Sequence, residues 1–108
     1  MVEGAKAIRD KLGELSQFST FQTAQDKAEA YLGEDVVLFA SPKKDKKYRI
    51  YDPVKCKWVD FGAMGYEDFT KHHDEIRRQN YLNRANNIKG NWAKDKYSPN
   101  NLAIHILW

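Results

Sequence analysis

Apolar residues recur at three- and four-residue intervals at the start of the chain, in Val2, Ala5, Ile8, Leu12 and Leu15. Lys6, Arg9, Asp10, Lys11 and Glu14 fill positions between them. That period belongs to one face of an α-helix and predicts an amphipathic helix with Gly13 as its weak point. Ser16 and Gln17 interrupt the pattern. A second stripe, Phe21, Ala24, Ala28, Tyr31 and Leu32, predicts another helix, with Ser19 as its N-cap and Gln22 completing a capping box. Gly33 stands where a left-handed C-cap belongs. Two short helices joined by a polar turn predict a helical hairpin.

The period then changes. Val36 to Ala40 is a continuous apolar run that opens on two β-branched residues, the mark of a buried strand. After a turn over Ser41 to Asp45, Lys47 to Tyr51 alternates basic and apolar residues. Asp52-Pro53 marks another turn, and Lys57 to Phe61 supplies a third strand. Three strands with tight connections predict an antiparallel meander. In its second strand Tyr48 and Ile50 share one face, and Lys47, Arg49 and Tyr51 share the other, which should stay basic and partly aromatic. Residues 62–73 read as a loop. A helix is expected from Asp74 to about Ile88, with Ile76, Leu82, Ala85 and Ile88 inward, Arg77, Arg78, Arg84 and Lys89 outward, and Gly90 as its stop. Ser98 and Pro99 form an N-cap and first helical position. The closing Leu102, Ile104, Ile106, Leu107 and Trp108 suit a short helix or, by alternation, a strand. The fold class is therefore α+β: an N-terminal helical hairpin, a three-stranded antiparallel meander and C-terminal helices.

The 108 residues have room for one core, and three Trp, six Tyr and five Phe supply apolar material to fill it. Neither a linker nor a repeat divides the chain, so a single domain is expected over residues 1–108. The longest apolar run is strand-sized, which predicts no membrane span, and Met1 to Gly4 lacks the features of a secretory signal. A lone cysteine, Cys56, excludes an internal disulfide and a multi-cysteine zinc site. Charge separates the chain into two parts. Residues 1–42 hold four basic and seven acidic side chains, and residues 43–108 hold fourteen basic and eight acidic ones. Lys43, Lys44, Lys46, Lys47, Arg49, Lys55 and Lys57 make residues 43–57 the densest basic stretch. An acidic helical part thus precedes a basic part suited to a polyanion or an acidic partner.

Candidate chemistry is sparse. Asp60-Phe61-Gly62 spells a kinase metal-binding tripeptide without the phosphate loop or catalytic loop that give it meaning, and reads as a strand ending in a glycine turn. His72-His73-Asp74 with Asp68 resembles a metal cluster, but adjacent histidines diverge, and His105 is remote in sequence. Cys56 has lysines on either side but no positioned base. No enzyme, cofactor or metal site is expected. The binding residues, for a protein or a nucleic acid, are Lys43, Lys44, Lys46, Lys47, Arg49, Lys57, Arg77, Arg78, Tyr81, Arg84, Trp92 and Trp108. Tyr48, Tyr51 and Trp58 stand among the lysines, where aromatic rings can stack on bases.

From Lys47 onward the chain carries Tyr48-Arg49-Ile50-Tyr51, Asp60-Phe61-Gly62, Gly65-Tyr66-Glu67-Asp68-Phe69-Thr70, His72, Asp74, Arg77-Arg78, Tyr81-Leu82, Arg84, Gly90-Asn91-Trp92, Ser98-Pro99-Asn100-Asn101-Leu102 and Leu107-Trp108. Over residues 47–108 it resembles a family of small proteins of nucleocytoplasmic large DNA viruses of algae and amoebae. The resemblance implies a structural virion protein, a minor capsid or cementing component that binds other virion proteins and is assembled in the host cytoplasm or nucleus. The alternative is a basic nucleic-acid-binding protein, associated with the genome or regulatory.

Overall fold

The computed structural model describes the backbone of residues 2–108 and the side chains from residue 9 onward, so the expected face positions Val2, Ala5, Lys6 and Ile8 lie outside the described side chains. Helix α1 runs over Val2–Leu15 and α2 over Phe21–Leu32. The N-cap of α2 is Thr20, whose side chain makes no capping bond, and not Ser19. Ser19 is buried and bonds elsewhere, as described below. Gly33 closes α2 with positive φ but extended ψ (114°, 162°), a shape that still favours glycine without being the expected left-handed cap.

The sheet is a three-stranded antiparallel meander in the order β1 (Phe39–Ala40), β2 (Lys46–Asp52) and β3 (Lys57–Ala63). Tyr48 stands opposite Phe61, and Ile50 opposite Val59. These four side chains form the inner face, buried against Leu15, Ala24, Ala28, Leu38, Leu102, Ile106 and Leu107. The first strand is shorter than the apolar run suggested. Gln25 explains this: its amide donates to the Val36 carbonyl at 3.0 Å and accepts from the Leu38 amide at 2.9 Å. Those backbone groups are satisfied by a helix side chain, and sheet pairing begins only at Phe39. Val37 and Phe39 point into solvent while Leu38 is buried, so the run alternates and is not buried throughout.

Residues 62–73, expected to be a loop, contain the end of β3 and a short helix α3 (Phe69–His72) capped by Asp68. Helix α4 spans Glu75–Asn86, and the Asp74 carboxylate accepts from the amides of Ile76 and Arg77. It stops short of Ile88, with Asn87 as its C-cap, and Gly90 lies in the following turn. Ala85 is its one fully buried residue, whereas Ile76 is 75% exposed and Ile88 53%, contrary to their expected inward place. After a 3₁₀ turn at Trp92–Lys94, Ser98 caps α5 (Pro99–Leu102), which continues through a π-helical turn over Ala103–Leu107. The end of the chain is thus helical. Leu102, Ala103, Ile106 and Leu107 are buried at helical spacing, and Ile104 is left partly exposed. This helix packs on α2, where Ala24 and Ala28 permit close approach.

One residue departs sharply from the alternation. Lys47 lies on the outer face of β2 yet is 2% exposed. Its ammonium donates to Asp68 Oδ2 at 3.0 Å, the Tyr66 carbonyl at 2.6 Å and the Phe18 carbonyl at 3.4 Å, which satisfies all three hydrogens. Burial pulls its pKa below the ordinary lysine value, against the opposing pull of Asp68. The other oxygen, Asp68 Oδ1, accepts from the Thr70 amide and hydroxyl. Tyr48 donates to Ser19 Oγ at 2.8 Å, and Ser19 lies 3.1 Å from Thr70 Oγ1. Since Tyr48 donates into Ser19 and Thr70 donates into Asp68, the Ser19 hydroxyl donates to Thr70.

Two outcomes follow from this network. Asp68→Ala leaves a buried ammonium without its counter-charge and should cost about 3–5 kcal/mol, read as a fall in the urea midpoint, while Lys47→Met combined with Asp68→Leu should recover most of the loss. The Tyr48 phenol is pushed up to about 12 by burial from an ordinary value of 10.0. Its contribution is fully present below pH 10 and is lost as pH rises through the folded value. About 2–3 kcal/mol of stability should disappear across that window, and Tyr48→Phe should flatten the alkaline limb of the urea-midpoint profile. An unchanged alkaline limb would refute the assignment.

Candidate functional site

The outer sheet face follows from the register. Tyr51 and Trp58 stand opposite each other across β2 and β3, and in the next row Phe39, Arg49 and Asp60 lie side by side across all three strands. Trp58 packs edge-on against Tyr51 (centroids 5.3 Å apart) and against Phe39 (5.7 Å). The Arg49 guanidinium lies 4.9 Å from the Trp58 ring centre, in cation–π geometry. Beneath it, the Asp60 carboxylate accepts from Ser41 Oγ at 2.6 Å and pairs with Arg49 at 3.3 Å and Lys43 at 3.6 Å. Burial alone would raise the Asp60 carboxyl, but these partners outweigh it and hold it below the ordinary aspartate value. Phe39, Tyr51 and Trp58 remain 47%, 42% and 46% exposed. Among the described residues no layer covers this half of the outer face, and its aromatics are presented to solvent.

The face continues past the β1 edge into an open groove of about 1160 Å³, lined by Leu12, Phe21, Leu38, Pro42, Lys44 and Trp58 among others. Lys11 steadies its rim by donating to the main-chain oxygens of Lys43 and Lys46, at 2.8 and 2.5 Å. Helix α1 is thereby fixed to the β1–β2 turn.

The twelve expected binding residues do not form one surface. Lys43, Lys44 and Arg49 flank the aromatic face, and Lys57 is exposed at the start of β3. Lys46 is half-buried at the start of β2. Lys47 is not a surface residue, because its charge is consumed by Asp68 inside the fold. Tyr48 is likewise part of the core and cannot stack on a base. Arg77, Tyr81, Arg84 and Trp108 converge instead on a separate cleft between α4 and the C-terminal helix. Arg78, on another side of α4, donates to Glu75 and to the Trp108 main-chain oxygen at 2.8 Å and lies over Phe69. Trp92 is half-buried and donates to the Ile88 carbonyl, while its own carbonyl accepts from Ser98 and Asn101. It is a scaffold residue for the turn before α5. Phe39, Leu12 and Phe21 were absent from the expected set. Phe39 was hidden in a run read as uniformly buried, and period-two alternation is the signal that exposes it.

Among the described residues no three His, Cys, Asp or Glu side chains gather as a metal site. His72 Nδ1 accepts from the Asp74 amide, which makes it the unprotonated ring nitrogen; burial, then Arg77, lowers the His72 pKa. Cys56 is exposed in the β2–β3 turn. No helix among the described residues is long and apolar enough to cross a membrane. Over residues 36–85 the chain is similar to a family of unknown function (DUF5754), a stretch that takes in the whole sheet, α3 and α4 as far as Ala85. No curated protein and no solved structure matches the chain.

Proposed function

We propose that this protein is a non-enzymatic binding module whose outer sheet face docks on a protein partner with an apolar centre and acidic groups around it. The observation that carries this reading is the contiguous trio of Phe39, Tyr51 and Trp58, packed edge-on against one another while each stays nearly half exposed. Trp, Tyr and Arg dominate the energetics of protein interfaces when they are buried at the centre of a contact. Lys44 and Lys57 at the margins would attract acidic side chains on the partner. The resemblance over residues 47–108 suggests the setting, a minor capsid or cementing component gripping a neighbouring shell protein.

A nucleic acid is a weaker fit to this surface. Lys43, Lys47, Arg49, Lys55, Arg77 and Arg78 each have a carboxylate within 3.8 Å. Cations already paired release fewer counterions from a phosphate backbone and add less to its binding. The test compares wild type with a Phe39→Ser/Trp58→Ser variant. The variant should keep its far-ultraviolet circular dichroism and lose only about 1–2 kcal/mol of stability, from the missing aromatic contacts. It should no longer retain the protein neighbour that wild type holds when cross-linked in the particles or cells that contain it. Equal retention by both proteins would sink the reading. Saturable quenching by a single-stranded oligonucleotide, steeply salt-dependent and lost with Trp58→Ser, would transfer the surface to nucleic acid.

A further inference from the structure

The cleft between α4 and the C-terminal helix is independent of the sheet face and has its own chemistry. Its volume is about 560 Å³, within the range of small-ligand pockets. One wall is a single face of α4: Arg77, Asn80, Tyr81 and Arg84, at the i, i+3, i+4 and i+7 spacing that aligns side chains. The opposite wall is Ala103, Leu107 and Trp108, and the β3 end closes the back at Gly62 and Ala63. Tyr81 and Trp108 stack on each other with centroids 4.2 Å apart and planes 8° from parallel, so the two walls touch there and the aromatic pair bounds the cleft. A glycine at position 62 keeps Leu107 in place, because a Cβ there would lie 2.8 Å from Leu107 Cδ1.

The charges along this cleft are unequally used. Lys47, at the back, is neutralised by Asp68. Arg77 faces Glu67 at 3.8 Å with both side chains about half exposed, a loose pair. Arg84 has no carboxylate within ion-pair distance among the described residues, and it lies close enough to Tyr81 to bear on the phenol. Positions 77 and 84 are two helical turns apart, roughly 10 Å along the axis, with Asn80 at the intervening turn. A face of α4 left polar beside an apolar wall is not a core surface awaiting a better fit. It is an amphipathic slot with a spare cation at one end.

We infer that this cleft binds a small oxyanion-bearing aromatic molecule, its phosphate or carboxylate held by Arg84 and its ring against the apolar wall of Ala103 and Leu107, beside the stacked Tyr81–Trp108 pair. Guanidinium suits both oxyanions through paired N–H donors. Phosphate and carboxylate sources share this chemistry, so the probes are phenyl phosphate and benzoate, with inorganic phosphate and benzyl alcohol to isolate each half. Titration into the ¹⁵N-labelled full chain should move the Arg84 and Tyr81 amides and the Trp108 indole resonance saturably. Whichever of phenyl phosphate and benzoate binds more tightly identifies the oxyanion, and both isolated halves should bind more weakly than it. Arg84→Gln should weaken binding about tenfold, the loss expected for one charge-assisted hydrogen-bonding group. Arg84→Lys should fall between wild type and Gln, and Lys57→Gln, at the far end of β3 and outside the cleft, should leave affinity within about twofold. An amide spectrum otherwise superimposable on wild type excludes misfolding of the variants. Absence of saturable shifts with either aromatic anion, or equal effects of Arg84→Gln and Lys57→Gln, would overturn the inference.

Discussion

The buried pair of Lys47 and Asp68 is the contact on which the rest of the arrangement depends. Removing both charges from water is costly, and the pair persists because each remaining valence is met: two carbonyls on the ammonium, an amide and a hydroxyl on the carboxylate. The partners come from the central strand, from the connection between α1 and α2, and from the loop leading into α3. Their common centre fixes how three separate parts of the chain meet. Such a pair adds little net stability compared with well-packed apolar residues, but it makes alternatives expensive. A one-residue slip of β2 would withdraw the ammonium from Asp68 and turn Tyr48 and Ile50 out of the core.

The same neutralisation, repeated at lower burial, changes what the basic character of residues 43–108 means. Asp60 lies on the outer sheet face and takes up Arg49 and Lys43; Asp95 takes Lys55; Glu67 and Glu75 take Arg77 and Arg78. A linear count of lysines and arginines records an excess of positive charge, whereas the folded chain distributes much of it into local pairs. What remains on the sheet face is aromatic before it is cationic. Arg49 illustrates the conversion: with Asp60 below it and Trp58 beside it, its guanidinium serves partly to hold the indole in place.

Much of the fold was legible in local pattern. Helix ends announced themselves through Asp74 and the Ser98-Pro99 pair because a cap acts within three residues of itself. The meander was legible from alternation and turn residues. Three of the misreadings share one physical cause, interaction at long sequence separation. Gln25 captures the backbone of Val36 and Leu38 from another element, and Asp68 buries Lys47 across 21 residues. Ser19 would cap a helix on local grounds, but Tyr48 and Thr70 compete successfully for its hydroxyl. Ile76 and Ile88 matched a helical stripe whose far side has nothing to pack against, so period alone assigned them inward. Of the candidate site residues, Arg77, Tyr81 and Arg84 could be grouped from helical spacing alone. That Trp108 completes their wall depends on the C-terminal helix returning to α4, which no local signal encodes.

Apolar surface is worth about 25 cal/mol per Å² when buried, and a domain of this size has little of it to spare. The core nevertheless leaves Phe39, Tyr51 and Trp58 outside, while filling its own layer with Tyr48, Phe61, Ile50 and the aliphatic face of the C-terminal helix. Extending an existing helix over the sheet would cover those rings and add stability. Instead α1 is held to one side by Lys11 on the β1–β2 turn, and the groove beside it stays open. Three large aromatics placed in adjacent rows of a sheet, propped by a guanidinium and left uncovered, cost the isolated domain stability that a docked partner would return. On the proposed docking role the exposed face is the surface that association would cover, and the buried Lys47–Asp68 network holds that sheet in one register while its outer side remains open.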